Sequence, residues 1–139
     1  MVSSIHMSTL KHRFKYIKAG KSLKPVVSIT LRYNGKEFDY MALVDSGADF
    51  NIFHGELSYI LDIDLTKLER IPIVGIQPGE EMTGYVVPLE IGLGGRFYPT
   101  RSVMSFQISD SGYGVLGQLG FFDIFKVQFD RMAKDILLK

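Results

Sequence analysis

One segment of the chain gathers residue types that could do chemistry: Met41-Ala42-Leu43-Val44-Asp45-Ser46-Gly47-Ala48-Asp49. An apolar strand ends and at once presents a carboxylate. Such a carboxylate is costly unless it is hydrogen-bonded or put to use. Gly47 lets the backbone turn tightly and approach a neighbour. Ser46 brings a hydroxyl that both donates and accepts, and Ala48 keeps the next position small. The result is a carboxylate on a rigid loop with amides and hydroxyls around it. The plainer reading is that Asp45 caps a turn, since Asp-Ser-Gly is itself a good turn sequence. A second copy, Asp110-Ser111-Gly112, occurs in the same chain. Context separates the two. Asp45 follows Ala42-Leu43-Val44, whereas Asp110 follows Gln107-Ile108-Ser109 and precedes Tyr113-Gly114, which reads as a surface loop.

The elements that must position Asp45 read mainly as strands. From Pro25, apolar residues recur with period two through Val26, Val27, Ile29 and Leu31 to Tyr33. Asn34-Gly35 is a strong hairpin signal, because both central residues of that turn favour positive φ. The chain returns through Phe38, Tyr40, Ala42 and Val44, straight into Asp45. Residues 55–61 suit a short helix or turn, and 71–76 an extended segment before the Pro78-Gly79 turn. Tyr85, Val87, Leu89 and Ile91 alternate again, Gly92, Gly94 and Gly95 break the run, and residues 97–106 read as a further strand. Val115-Leu116-Gly117 is a short apolar burst. Phe121-Phe122-Asp123-Ile124-Phe125 predicts one short late helix, within residues 119–125. Residues 126–130 and 135–138 predict a last hairpin around Arg131-Met132-Ala133-Lys134. Short strands with closely spaced turns predict a mainly β domain, a small barrel or sandwich.

Composition bounds the function. A length of 139 residues fits one domain. With 46% apolar and 22% charged residues the chain has the balance of an ordinary globular protein. A net charge of +1 gives no pull toward nucleic acid or an anionic membrane. The basic segment 1–24 reads as an arm or an edge strand without the interleaved aromatics of a single-strand binder. Within it, Met1 to Met7 read as an expression remnant. No apolar run approaches the roughly 18 residues of a membrane span, and no secretory leader is visible, so a cytoplasmic location is expected. The absence of cysteine excludes disulfides and thiolate chemistry. His6, His12 and His54 are scattered without companion carboxylates, so no metal site and no cofactor are expected.

The segment Ala42-Leu43-Val44-Asp45-Ser46-Gly47-Ala48-Asp49 resembles the active-site loop of the retropepsin-like aspartic proteases. The resemblance continues in order along the chain. Ile73-Val74-Gly75-Ile76-Gln77-Pro78-Gly79-Glu80 is similar to the family's flap hairpin, and Val115-Leu116-Gly117-Gln118 to its late apolar-apolar-Gly element. Phe121 to Phe125 falls where its short helix sits. The match runs from about Pro25 to Asp130 and looks closest to the bacterial or cellular single-domain members. It implies a small closed β-barrel, the acid protease lobe, over residues 25–139, with one short C-terminal helix. Two features depart from the retroviral pattern. Gln118 stands where those members usually have an Arg that partners the Asp matching Asp49, and the flap carries fewer glycines.

The resemblance implies an aspartic endopeptidase acting on a polypeptide. Two carboxylates share one proton: the ionised one takes a proton from the attacking water, and the protonated one donates to the scissile carbonyl. Two like charges at such close range do not both ionise readily, so the pair titrates as a unit. The chain has length for one lobe and one such loop, so the second carboxylate is Asp45 of another copy across a two-fold axis. Catalysis then falls to Asp45, and loop support to Ser46 and Gly47. Substrate contacts fall to Ala48, Asp49, Val74, Gly75, Ile76, Gln77, Pro78 and Gly79, with the substrate extended as an added strand. The alternative is a catalytically silent dimerisation or peptide-binding module on the same fold.

Overall fold

The computed structural model describes residues 12–74, 81–108 and 112–139. The basic segment supplies three short strands, β1 (His12–Lys15), β2 (Ile17–Ala19) and β3 (Ser22–Lys24). The alternating run after Pro25 becomes β4 (Val26–Tyr33), and its partner is β5 (Lys36–Val44). Asn34 and Gly35 between them take φ of 47° and 79°, as their types predict. There follow β6 (Ile52–His54), a single helical turn α1 (Leu57–Ile60), a 3-10 turn at Leu65–Lys67 and β7 (Arg70–Val74). The longest strands are β8 (Glu81–Leu93) and β9 (Arg96–Ser105), joined at Gly94 and Gly95, again both at positive φ. The chain ends in β10 (Gly114–Leu116), β11 (Val127–Asp130) and β12 (Asp135–Leu138).

The principal sheet has seven strands in the order β4-β5-β10-β6-β9-β8-β7. Its thirteen-residue strand β8 also reaches β4, through Thr30↔Gly92, Leu31↔Ile91 and Arg32↔Glu90. The pairings therefore run in a circuit, β4–β5–β10–β6–β9–β8–β4. Arg32 secures the β4–β8 join. Its guanidinium donates to both carboxylate oxygens of Glu90, at 3.1 and 3.0 Å, and lies 3.5 Å from the centre of the Phe97 ring. Inside stand the residues that the period of two turns inward. Leu31, Ala42, Phe53, Val87, Met104 and Leu116 are wholly buried, and Phe121 joins them from outside the strands. A separate sheet, β1-β12-β11, joins the basic segment to the last hairpin, and Ile136 and Leu138 carry it into the same core. Among the described residues no helix is long and apolar enough to cross a membrane.

The late helix expected at residues 119–125 does not form; the segment is a run of turns. Gly120 has φ of 109°, outside the helical range, and its N–H is taken by the Asp123 carboxylate at 3.0 Å. The Phe122 N–H reaches back to the Gly117 carbonyl, Ile124 N–H to Phe121 O has 3-10 spacing at 3.0 Å, and only Phe125 N–H to Phe121 O has α-helical spacing, at 2.9 Å. Phe121 and Phe125 are instead fixed by packing, with ring centres 5.0 Å apart in the core.

Candidate active site

Asp45 stands where β5 leaves the sheet. The strand is held on both sides to its last residue: Val44 N–H donates to Pro25 O and Asp45 N–H to Leu116 O, each at 2.9 Å. The chain then turns at once. Ala48 N–H donates to Asp45 O at 3.2 Å, and Gly47 N–H to Asp45 Oδ1 at 2.9 Å. This local bond fixes the carboxylate's direction while Asp45 stays half-exposed. A Cβ on Gly47 would stand 3.2 Å from that same oxygen, so the small residue matters there. Ser46, Gly47 and Asp49 are exposed and Ala48 half-buried.

A second loop, from the end of β10, braces the first. Gln118 N–H donates to Ala48 O and Leu119 N–H to Asp49 O, both at 2.9 Å. The Gln118 side chain donates to Ser46 O at 2.8 Å. The two backbones cross closely at Gly117, where a Cβ would lie 2.7 Å from the Ala48 carbonyl oxygen and closer still to that of Phe50. Any other residue would push the loops apart. Asn51 locks the crossing from beneath. It is fully buried, and its Oδ1 accepts from Gly117 N–H at 3.0 Å. Its Nδ2 donates to Ser102 Oγ at 3.4 Å, and its backbone carbonyl accepts from Val103 N–H at 2.8 Å.

Strand register extends the site sideways. Leu43 pairs with Val115, Val115 with Ile52, Ile52 with Val103 and Val103 with Val86. Their sequence neighbours Ala42, Leu116, Phe53, Met104 and Val87 face the core. Alternation thus sets these five apolar residues in one row on the opposite face, with Asp45 on the same side as Leu43. A recess of about 300 Å³ opens at the Leu43–Val115 end, bounded by Lys24 and the Gly20 turn. A larger cavity of about 520 Å³ opens at the Val103–Val86 end. Behind the row, β10 packs on Tyr40, whose hydroxyl is hydrogen-bonded to His54 Nδ1. Burial pushes the Tyr40 phenol up to about 12, against a lowering by the His54 backbone N–H, with a further rise from Glu56.

Of the residues singled out in the sequence, Asp45, Ser46, Gly47, Ala48 and Asp49 form this one loop, and Val74 ends β7. Gly75, Ile76, Gln77, Pro78, Gly79 and Glu80 lie outside the described residues, as do Asp110 and Ser111 of the second Asp-Ser-Gly. Gln118 bonds to the Ser46 carbonyl, and no described bond joins it to the Asp49 carboxylate. Sequence reasoning missed Asn51. Its signal was an amide set among Phe50, Ile52 and Phe53, where only a polar group with an internal task belongs.

The chain is thus a mainly β domain that sets an Asp-Ser-Gly loop at the crossing of two backbone segments. The chain is similar in structure to a retropepsin-like aspartic protease from Rickettsia conorii, with a TM-score of 0.62 and 18% sequence identity, over 93% of this chain and 91% of that one. It is also similar to EIAV protease complexed with the inhibitor HBY-793, with a TM-score of 0.50 and 20% identity, over 78% of this chain and 90% of that one. No protein-family model matches the sequence, and no curated protein matches it. The chain has the retropepsin-like fold.

Proposed function

We propose that the chain is an aspartic endopeptidase, active as a homodimer in which two Asp45 carboxylates share a proton and activate one water. The observation that carries this reading is the setting of Asp45. It is a half-exposed carboxylate, aimed by Gly47 N–H, on a loop braced by Gly117, Gln118 and buried Asn51. Such bracing is what a preorganised general acid–base pair requires. A turn cap would need no second loop to hold it. Among the described residues one chain supplies one such carboxylate, so the reading needs a second copy across a two-fold axis. The exposed Ser46 hydroxyl would then link the two loops. Ala48 and Asp49, with Val74 at the end of β7 and Gly75, Ile76, Gln77, Pro78 and Gly79 after it in sequence, would meet an extended polypeptide. The apolar row from Leu43 to Val86 would floor its path.

The test is hydrolysis of a mixed peptide library at mildly acid pH by wild type and Asp45→Asn, with a pepstatin-like inhibitor as a second probe. Cleavage by wild type alone, suppressed by the inhibitor, supports the reading. Inhibitor or peptide binding without cleavage would favour the silent dimerisation or peptide-binding module.

A further inference from the structure

We propose that Thr83, Ser105 and Gln107 form a positioning ring, which fixes the point where the β7–β8 pair leaves the rest of the sheet and so holds its Val74 end in place for a substrate. This rests on the proteolytic reading above. β8 pairs with β9 from Leu93 back to Tyr85, which stands opposite Met104. Among the described residues, Glu81 to Gly84 have β7 as their sole strand partner, through Ile71↔Gly84, Pro72↔Thr83, Ile73↔Met82 and Val74↔Glu81. Continuing the β8–β9 register would set Phe106 opposite Thr83, but β9 ends at Ser105 and the chain turns. Two side chains take over from the ladder. Thr83 N–H donates to Gln107 Oε1 at 2.7 Å, and Ser105 Oγ donates to Thr83 O at 2.8 Å. Gln107 N–H closes the circuit on Ser105 Oγ at 3.2 Å. Each residue donates once and accepts once, an arrangement in which hydrogen bonds strengthen one another.

The surroundings make this ring the fixture of that corner. Pro72, opposite Thr83 on β7, has no N–H to give. A Cβ on Gly84 would run into the side chains of Val103 and Ile73, so the strands lie close there. Ser105 is wholly buried, and a buried hydroxyl belongs where it has an internal task. The ring supplies that task for both its proton and its lone pair. The corner is itself anchored. Gly55 N–H donates to Ser105 O at 2.8 Å, and the Phe106 ring lies against Gly55, its centre 5.9 Å from that of Tyr59. Ser105 is also paired with His54, at the end of the strand that follows the Asp45 loop. The ring thereby ties Thr83, and with it the β7–β8 pair, to the frame that holds Asp45.

The main test variant is Gln107→Met, at an exposed position, which keeps the length of the side chain and removes the acceptor. Gln107→Glu keeps an acceptor whether or not it is ionised, and serves as the rescue. With peptides that wild type cleaves, Gln107→Met should raise KM about fivefold, the effect of one ordinary hydrogen bond. Its kcat should stay within about twofold, because the ring acts on binding. Gln107→Glu should return KM to near the wild-type value. A merely structural loss would shrink the active fraction and lower kcat at unchanged KM. That result would overturn the positioning role and leave the proteolytic reading intact. So would failure of Gln107→Glu to restore KM. If wild type cleaves no peptide, amide hydrogen exchange decides. Exchange about fivefold faster at Thr83 and Met82 in Gln107→Met, unchanged at Tyr85 and restored in Gln107→Glu, keeps the ring and removes the protease. Equal exchange in all three proteins removes the ring as well.

Discussion

Asn51→Ala should destabilise the fold and silence the site together. Asn51 Oδ1 is the described partner of Gly117 N–H, and both residues are buried. Truncation leaves that N–H without its acceptor, which costs about 1–3 kcal/mol. The void left by the amide adds about 1 kcal/mol. The expected loss is thus about 2–4 kcal/mol, a large share of a typical domain's stability. With a urea m-value near 2 kcal/mol/M, the midpoint falls by about 1–2 M. The comparison variant is Ser102→Ala. Its bond to Asn51 is long, at 3.4 Å, so its removal should cost less than about 1 kcal/mol. Both variants are unfolded in urea at one fixed protein concentration, because association adds its own stability. Peptidase activity is then assayed well below each midpoint. An Asn51→Ala midpoint within about 0.3 M of wild type would refute the locking role, as would a Ser102→Ala loss of equal size.

Asp45→Asn keeps the size and one acceptor of the side chain but cannot ionise, so cleavage should vanish with little change in the urea midpoint. Asp110→Asn should leave cleavage near wild type, and loss of cleavage there without unfolding would move the assignment to the second Asp-Ser-Gly. The Arg13–Asp135 bridge, 2.9 Å long, joins an exposed guanidinium to a carboxylate whose side chain is only 7% exposed. Arg13→Ala strands the buried carboxylate and should cost more than Asp135→Asn, which leaves Arg13 in water. Equal urea midpoints for the two variants would count against that asymmetry. For Tyr40 the folded phenol sits at about 12, above its ordinary value of 10.0. Its stabilisation is complete below pH 10 or so and is lost as pH rises toward about 12, because the unfolded chain gives up that proton first. Urea midpoints across this window should fall less steeply in Tyr40→Phe than in wild type.

Much of the fold was legible because its cause is local. Asn34-Gly35 predicts its turn through φ alone, and the alternation from Phe38 to Val44 predicts which side of β5 faces the core. The last hairpin fell where residues 126–138 suggested. The late helix was misread because five consecutive residues with three aromatics carry no period of their own. Their fate was settled by Gly120, by Asp123 and by the space available to Phe121 and Phe125. The parallel partnership of β5 with β10 was not legible, since those strands stand some seventy residues apart in sequence and nothing local ties them. The Asp45 loop was legible as a motif, but its brace was not. Gly117 reads as one glycine among fourteen until the Phe50 and Ala48 carbonyls are seen beside it.

The brace also limits how the loop can meet a substrate. Gly47 N–H is held by the Asp45 carboxylate and Ala48 N–H by the Asp45 carbonyl. The carbonyls of Ser46, Ala48 and Asp49 already accept from Gln118 and Leu119. A carbonyl keeps a second lone pair, so these oxygens can still receive a substrate N–H, but the two N–H groups have no second proton to offer. Under the proteolytic reading, strand-like pairing with a polypeptide would draw on carbonyl acceptors along this loop, on the Ser46 and Asp49 N–H groups, which no described bond engages, and on the exposed Asp49 side chain. A neutral Gln118 fits the same logic. An Arg at that position could neutralise Asp49, whereas the amide is turned to Ser46 and leaves the Asp49 charge at the mouth of the site. Under the proteolytic reading, a substrate with a cationic or amide side chain passing Asp49 would meet that carboxylate, while the apolar row beneath would favour bulk.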